Sequence, residues 1–309
     1  MRGKLADPNY KLQFAGHETF PLRQLWLRKA YDAVARSDEI APRGTFNDPD
    51  AIVAFGVGKN MVAAIRHWGL ACNVIQETKG GYIPGPIGAA LFGPDQLDPY
   101  LEHPASAWLV HWLVAGEGNR ATTWHYVFNH VSGQAFDKAN LISGLRELVT
   151  SIPGIRVSES TITRDVDVCL RSYIPKDAGS DAAEELAEPV LAQLGLITTT
   201  RGSFDFRVGP KPSLPDGVFL YALTAFWNQS ASTANTLGFD LIALERGGPG
   251  MTFKLDVDSV AERLVDIERT SGGIYSWSDT AGMRQVIRRK EVTPEDFLTL
   301  AYRRAKQCS

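Results

Sequence analysis

The segment GHETF at residues 16–20 places an imidazole beside a carboxylate, a combination that can transfer a proton or bind a metal ion. A helix is expected to begin just after it, and the free backbone amides of a helix start attract an anion such as a phosphodiester. In that interpretation His17 and Glu18 are catalytic. In a second interpretation, which the spacing alone favours, Glu18 and Thr19 cap the helix and His17 hydrogen-bonds locally.

The segment AFGVGKN at residues 54–60 is close to a phosphate-binding loop but departs from it at two positions. The pattern GxxxxGK[ST] requires glycine where the chain has Val53, and serine or threonine where it has Asn60. We therefore expect no bound nucleotide. Gly56 and Gly58 are instead predicted to form the turn between two helices.

Basic and amide side chains around the start of the second of these helices suit contacts with DNA phosphates. Lys59 and Asn60 stand at that start, and Arg66 follows about two turns later. In RQVIRRK, Arg284 and Arg288 are four residues apart, which on a helix makes either a phosphate-binding patch or an ordinary solvated face. The predicted DNA-binding residues are Arg23, Arg28, Lys59, Asn60, Arg66, His67, Arg284 and Arg288.

Two further sets of carboxylates could hold a metal ion, and neither has a favourable context. Asp50 with Glu77 and Lys79 matches the PD…ExK nuclease pattern, but Asp50 opens a predicted helix where that pattern needs strands. Asp165 and Asp167 lie two apart on another predicted helix, which points them to different faces and favours an exposed position. The metal ligands therefore stay unassigned.

The other histidines and the cysteines lack the spacing of a metal site. Four histidines are interpreted as core or surface residues: His103, His111, His125 and His130. The cysteines are far apart and odd in number, which favours reduced, structural thiols: Cys72, Cys169 and Cys308.

The apolar periodicity predicts mostly helices, joined by short hairpins. A helix from Pro21, a short helix near Val53 and a helix from Asn60 form a helix-turn-helix pattern, and a hairpin around Gly80 follows as a wing. Further helices are predicted over residues 105–116, 137–149, 158–174, 182–194, 217–227, 256–272 and 281–292. A second wing is predicted at Arg201-Gly202, and a closing helix begins with Thr293 as N-cap and Pro294 at the first helical position.

The composition is that of a folded globular protein, with 309 residues, 44% hydrophobic and 22% charged. The expected fold class is mainly α with small β hairpins (α+β), in a multi-module winged-helix or helix-turn-helix architecture. The expected modules are residues 1–100, 101–212 and 213–309. Residues 1–80, 81–200 and 201–309 carry net charges of +3, −7 and +1, so the ends can offer a phosphate-binding face. No membrane span or signal peptide is recognised, which predicts a cytoplasmic protein without membrane partners.

Residues 14–34 (FAGHETFPLRQLWLRKAYDAV) and 55–75 (FGVGKNMVAAIRHWGLACNVI) together resemble a prokaryotic family of unknown function that is encoded beside DNA phosphorothioation genes. The resemblance is to the SspB-like DNA nicking proteins of the Ssp system. It is specific over the first quarter of the chain, and beyond residue 100 it rests only on length and helical character. No catalytic residue is transferred from the family.

The resemblance implies a DNA-binding protein that nicks one strand in support of phosphorothioate modification of the backbone in phage defence. Mg²⁺ or another divalent metal is the expected cofactor, because in-line attack on a phosphodiester usually uses one. The implied partners are DNA, a P-loop ATPase, a sulfate-reductase-like protein and a cysteine desulfurase, and the sequence leaves a homodimer open. The alternative is a noncatalytic DNA-binding, scaffolding or regulatory subunit that recruits these partners.

Overall fold

The computed structural model consists of helices and three small antiparallel sheets, which confirms the α+β class. It describes residues 3–7, 9–37, 39–175, 188–200, 202–231, 233–280 and 282–303. Over these residues, no helix combines the length and apolar character needed to cross a membrane. The buried side chains form one continuous hydrophobic cluster that extends from Leu5 to Ala301.

The first unit begins with α1 (Trp26–Ala35), whose buried residues recur every three or four positions and form one apolar face. It continues with β1 (Ala41–Pro42), α2 (Pro49–Phe55), α3 (Lys59–Ala71), β2 (Ile75–Glu77), β3 (Gly81–Pro84) and α4 (Pro86–Phe92). Gly56 ends α2 in the left-handed conformation (φ 63°), and Gly58 is the N-cap of α3. Both glycines therefore form the predicted turn.

The middle unit is introduced by α5 (Pro104–His111), which continues as a buried π-helical segment, Trp112–Glu117. It contains α6 (Thr122–His130), β4 (Ala135–Phe136), α7 (Lys138–Thr150), α8 (Glu159–Tyr173), a 3₁₀ turn (Ala192–Leu194), β5 (Ile197–Thr200) and β6 (Ser203–Phe206). The polar residues before the two long helices act as caps. Asp137 accepts the backbone N–H of Asn140 at 2.7 Å, and Ser158 accepts that of Thr161 at 3.1 Å.

The last unit ends in a capped helical turn, as predicted. It contains α9 (Asp216–Ser230), β7 (Thr236–Gly238), α10 (Phe239–Leu244), α11 (Pro249–Phe253), α12 (Val257–Val265), α13 (Ile267–Thr270), β8 (Tyr275–Thr280), β9 (Met283–Arg288), a 3₁₀ turn (Pro294–Phe297) and α14 (Leu298–Ala301). The Asp296 carboxylate accepts the backbone N–H of Thr293 at 2.8 Å, which is half of a capping box.

One order of elements occurs in all three units, although no fixed-period repeat is visible in the sequence. Each unit contains a helix, a short strand, a helical pair and then a hairpin: α1 to β3, α6 to β6, and α9 to β9, the last with α11 and α13 added. In each sheet the third strand lies in the centre, in the orders β1-β3-β2, β4-β6-β5 and β7-β9-β8. The middle sheet pairs Phe136 with Phe204 and Ile197 with Phe206.

Three predicted elements differ in the structure. Residues 283–288 form strand β9 and not a helix, because they pair with β8 across the turn at Gly282 (φ 80°). The first helix begins at Trp26 and not at Pro21, because Arg23 is held in a β-bridge with Pro189. Of the helix predicted over residues 182–194, residues 182–187 lie outside the described part, and residues 188–194 hold that bridge and a 3₁₀ turn.

Candidate functional site at the turn of residues 15–19

The GHETF segment lies in a turn whose backbone is unusually strained. Within residues 15–19, hereafter the 15–19 turn, Ala15 (φ 62°), Gly16 (φ 90°), Glu18 (φ 48°) and Thr19 (φ 67°) all have positive φ angles. For residues other than glycine this conformation costs roughly 1–2 kcal/mol each. Such a turn persists only where its surroundings hold it in place.

A buried aspartate on α8 provides this support. Asp165 is 2% exposed, and its Oδ1 lies 2.6 Å from Nε2 of His17 and accepts the backbone N–H of Ala15 at 2.7 Å. Its Oδ2 accepts the hydroxyl of Thr123 on α6. The carboxylate therefore ties the 15–19 turn, α6 and α8 together through three donors.

The hydrogen bonds of His17 indicate the tautomer of its ring. Nδ1 accepts the backbone N–H of Thr19 at 3.2 Å, so the proton lies on Nε2 and is donated to Asp165. The side chain is also 2% exposed. Because both ring nitrogens are engaged and the ring is buried, His17 acts in this arrangement by holding the turn.

Aromatic and imidazole rings from α3 and α6 enclose His17. The ring stacks on Trp68 at 6.2 Å and meets Trp124 and His67 edge-on, each at 5.7 Å. A Cβ on Gly16 would lie 2.6 Å from Nδ1 of His67, so this close approach requires glycine. Burial, with smaller effects of neighbouring positive and imidazole groups, lowers the pKa of His67 to about 3, and its Nε2 has no hydrogen-bond partner in the described structure.

The outer side of the turn carries Glu18 and Thr19, which are both exposed. Arg171, on the exposed face of α8, donates to the Thr19 carbonyl at 2.9 Å. Since α1 begins at Trp26 with Leu25 as its N-cap, Glu18 and Thr19 do not cap it, and that part of the capping interpretation is wrong. The local hydrogen bond predicted for His17 is confirmed, because its ring accepts the backbone N–H of Thr19. The site therefore consists of an exposed carboxylate on a strained turn that a buried histidine–aspartate pair anchors.

The partner of His17 was not anticipated from the sequence, which paired it with Glu18. Asp165 was expected on an exposed face, and that expectation is wrong. The helical spacing of Ile162, Asp165, Val166 and Cys169 places Asp165 on the buried stripe of α8. Asp167 does face outward, where it pairs with Lys138 at 2.5 Å.

The predicted DNA-binding residues of the first unit occupy different environments. Lys59 and Asn60 are exposed at the start of α3, and Arg66 is half-buried, with its Nη1 donating to Asn47 Oδ1 at 3.2 Å. His67 is 5% exposed, so its ring does not reach the surface. Lys59, Asn60 and Arg66 thus remain on one accessible side of the helix.

The remaining predicted arginines pack on aromatic rings. The guanidinium carbon of Arg23 lies 5.3 Å from the centre of the Trp26 ring, and Arg28 forms an ion pair with Asp32 at 2.9 Å. Arg284 and Arg288 lie on strand β9, above Phe239 (4.1 Å) and Trp227 (5.0 Å) respectively. Residues four apart on a strand lie on the same face, so these two arginines share one side of the sheet although they do not lie on a helix.

Asp50 and Glu77 of the PD…ExK pattern lie in a helix and in arginine ion pairs, respectively. Asp50 lies in the first turn of α2, as expected. Glu77 pairs with Arg43 at 3.0 Å and Arg120 at 3.1 Å; burial alone would raise the pKa of this carboxyl, but these hydrogen bonds lower it. Across the described residues, no three His, Cys, Asp or Glu side chains are grouped so that they could hold a metal ion.

The described thiols belong to the core, His111 lies in the core, and His103 is a cap. Cys72 and Cys169 are free and buried, and burial raises the pKa of both, whereas Cys308 lies outside the described residues. His111 hydrogen-bonds Tyr173 at 2.7 Å and the Thr252 carbonyl at 2.8 Å. His103 caps α5 by accepting the backbone N–H of Ala105 at 3.1 Å.

The whole structure is similar to crystal structures of SspB. A magnesium ion-bound SspB structure is 29% identical, with a TM-score of 0.81, and the match covers 97% of this chain and 88% of that chain. A second SspB crystal structure is also 29% identical, with a TM-score of 0.80 and coverages of 94% and 86%. These matches confirm the SspB-like resemblance seen in residues 14–34 and 55–75, whereas no curated protein matches the sequence. Residues 14–302 match the family "Protein of unknown function (DUF4007)", and the chain therefore belongs to that family.

Proposed function

We propose that the protein binds DNA and nicks one strand, as part of the Ssp system that places phosphorothioate groups in the DNA backbone in phage defence. The observation that carries this proposal is the similarity to SspB over 97% of the chain, together with the family resemblance of the two N-terminal segments. The threefold order of elements supports the DNA-binding part, and the 15–19 turn supports the location of nicking.

The proposed DNA-binding elements are winged helices. The arrangement is the one expected of a winged helix: a helix, a strand, a helical pair and a hairpin, with the third strand in the centre of the sheet. In this interpretation α2 and α3 form the helix-turn-helix and the β2–β3 hairpin is the wing. We assign the three winged helices to modules at residues 1–100, 101–212 and 213–309.

The proposed phosphate-binding face lies on α3. Lys59, Ala63 and Arg66 follow one another at helical spacing on the side that is not fully buried, and Asn60 adjoins them. Lys59 has no ion-pair partner among the described residues, so its ammonium group is available for a DNA phosphate. His67 is omitted from this face because its ring is buried.

Nicking is proposed to occur beside the 15–19 turn, where the Glu18 carboxylate is exposed. Strained backbone is concentrated at functional sites in proteins, and here it presents Glu18 outward. Mg²⁺ is commonly held by one or two carboxylates together with substrate phosphates, so a DNA-dependent metal site needs no cluster of three ligands. The magnesium ion in an SspB structure makes Mg²⁺ the metal to test first. His17 is proposed as a positioning residue that acts through the turn.

The proposed role in the Ssp system also implies the partners of the protein. These are DNA and the P-loop ATPase, sulfate-reductase-like protein and cysteine desulfurase of the phosphorothioation system.

The second candidate function is a noncatalytic DNA-binding or scaffolding subunit. It is favoured by the burial of His17 and by the absence of a three-ligand metal cluster from the described residues.

Relaxation of supercoiled plasmid by the purified protein, with Mg²⁺ or with a chelator, separates the two functions. Under the nicking proposal, the wild-type protein converts plasmid to open circles only with a divalent metal, and Glu18→Gln slows this conversion about a hundredfold or more. Glu39→Gln is the matched control, because Glu39 is an exposed glutamate of the same unit. Binding without relaxation in any metal would favour the noncatalytic subunit.

The DNA-binding face is tested by its dependence on salt. Lys59→Ala with Arg66→Ala is expected to weaken binding to every DNA sequence and to make the slope of log K against log salt shallower by about 2. Lys290→Ala with Arg269→Ala removes the same charge from the last unit as a control. Equal effects of the two double variants would show that binding depends on net charge and not on α3.

A further inference from the structure

A cavity between the middle and last units has no acidic side chain among the described residues that line it. Its volume is about 260 Å³, and it lies where the end of α6 and strand β6 meet α11. Lys254, Arg246 and His130 line it, and its other walls are apolar or uncharged. None of these three residues belongs to the proposed nicking or DNA-binding sites.

Lys254 is buried and has no ion-pair partner among the described residues. The residue is 6% exposed, it ends α11 in the left-handed conformation (φ 54°), and its ammonium lies 4.0 Å from the centre of the Phe206 ring. Nζ donates to the Phe128 carbonyl at 2.7 Å, and in the described part of the chain this is its single hydrogen bond. An ammonium has three donors, so two remain for a ligand.

Burial without a carboxylate is unfavourable for this charge. Burial lowers the pKa of Lys254 to about 7, and no acidic group counteracts it. Removing an ion from water is unfavourable unless a charge of opposite sign compensates. A bound anion would supply that charge.

The other two side chains also have unused hydrogen-bonding capacity, and burial lowers the pKa of His130 to about 3, so its ring is a neutral partner. Nε2 of His130 is buried without a partner in the described structure, and its ring is stacked on Tyr126 at 5.7 Å. Arg246 is half-buried and has no ion-pair partner among the described residues. The three groups come from α6, the α10–α11 loop and the end of α11, so only the folded chain brings them together.

We propose that this cavity is a binding site for a small tetrahedral oxyanion, of the phosphate, sulfate or thiophosphate class, held by Lys254, Arg246 and His130. The size supports a small ligand, because cavities for drug-sized molecules are about 300–1,000 Å³. A phosphate-like anion offers the acceptors that an ammonium and a guanidinium bind best. This inference is independent of the proposed DNA function.

Isothermal titration of the full-length protein with inorganic phosphate, sulfate and thiophosphate, at constant ionic strength, tests the proposal. We expect saturable binding of at least one of them with a Kd of about 1 mM or tighter, and none of chloride. Lys254→Met is expected to weaken binding at least tenfold. Its apolar chain can keep contact with Phe206, so the variant should fold.

A second variant and a control keep the result interpretable. Arg246→Gln, at a half-buried position, should weaken binding about tenfold even if Lys254→Met fails to fold. Lys79→Met, on the exposed β2–β3 turn, should bind like the wild-type protein. The proposal is overturned if no oxyanion saturates the wild-type protein, or if Arg246→Gln binds as tightly as Lys79→Met. DNA binding by these variants is expected to be unchanged, so failure here leaves the proposed function intact.

Discussion

Removal of the Asp165 carboxylate is expected to be among the most damaging single changes in the chain. The carboxylate is 2% exposed and accepts hydrogen bonds from Ala15, His17 and Thr123. Asp165→Ala leaves all three donors without an acceptor, at about 1–3 kcal/mol for each of the two buried ones, His17 and Thr123. Partial relaxation of the turn reduces the sum, and we expect a loss of about 3–5 kcal/mol in the free energy of unfolding.

Asp165→Asn removes the negative charge of the side chain while keeping its shape. The asparagine oxygen can still accept from Ala15 and His17, and the Thr123 hydroxyl can rotate to accept from the new amide. Hydrogen bonds to a charged group contribute about 1.5–3 kcal/mol and neutral ones about 0.5–1.5 kcal/mol. The expected loss is therefore about half of that for Asp165→Ala.

Urea unfolding followed by tryptophan fluorescence measures the free energy of unfolding of both variants, because Trp68 and Trp124 lie against His17. Asp167→Asn is the matched control: it lies two residues away on α8, and its ion pair with Lys138 is exposed and worth about 1 kcal/mol or less. If Asp165→Ala costs no more than Asp167→Asn, the buried carboxylate does not support the turn. The proposed positioning role also requires Asp165→Asn to slow plasmid nicking per folded molecule.

Two further predictions follow from the same cluster and from the buried histidines. Gly16→Ala should lower the free energy of unfolding by about 2 kcal/mol or more, because the new Cβ would lie 2.6 Å from His67 and the φ angle at residue 16 is 90°. The measurement is the melting temperature, compared with that of the matched variant Gly154→Ala, which lies at an open turn. Acid should destabilise the fold between pH 6.5 and 3, because burial lowers the pKa of His67 and His111 to about 3 and of His125 to about 4. Below pH 6.5 the unfolded chain binds protons that the folded chain does not, so stability falls as pH falls, by up to about 1.4 kcal/mol per pH unit for each histidine. Urea midpoints at pH 7 and pH 5 that coincide would contradict this.

Local signals in the sequence predicted most helices and two of the three hairpins. Caps such as Ser158 and Asp137, and the glycine turn at Gly56, act through neighbouring residues and so can be read from the chain. The sequence of strand β9 does not distinguish a strand from a helix, because its only fully buried residue is Val286, which leaves too little alternation to separate the two periods. The turn glycine Gly282 was the available signal.

The sequence marked GHETF as a candidate site, but it did not reveal the contacts of that segment. The His17 partner lies 148 residues away in the chain, which no local spacing reveals. A buried position for Asp165 could have been predicted from the apolar stripe of α8, and a buried carboxylate requires partners. Its pairing with His17 needed the packing of α3, α6 and α8 around one turn.

That packing would couple the proposed DNA contact on α3 to the turn. Trp68 and His67 lie on the inner side of α3, the helix that carries Lys59 and Arg66 on its accessible side, and both rings contact His17. Trp68 also donates to the Phe20 carbonyl at 3.1 Å, directly after the turn. A shift of α3 on binding DNA would therefore be transmitted to the 15–19 turn through rigid aromatic contacts. Asp165 and Arg171 of α8 hold the other side of the turn, so the orientation of Glu18 depends on both the first and the middle unit.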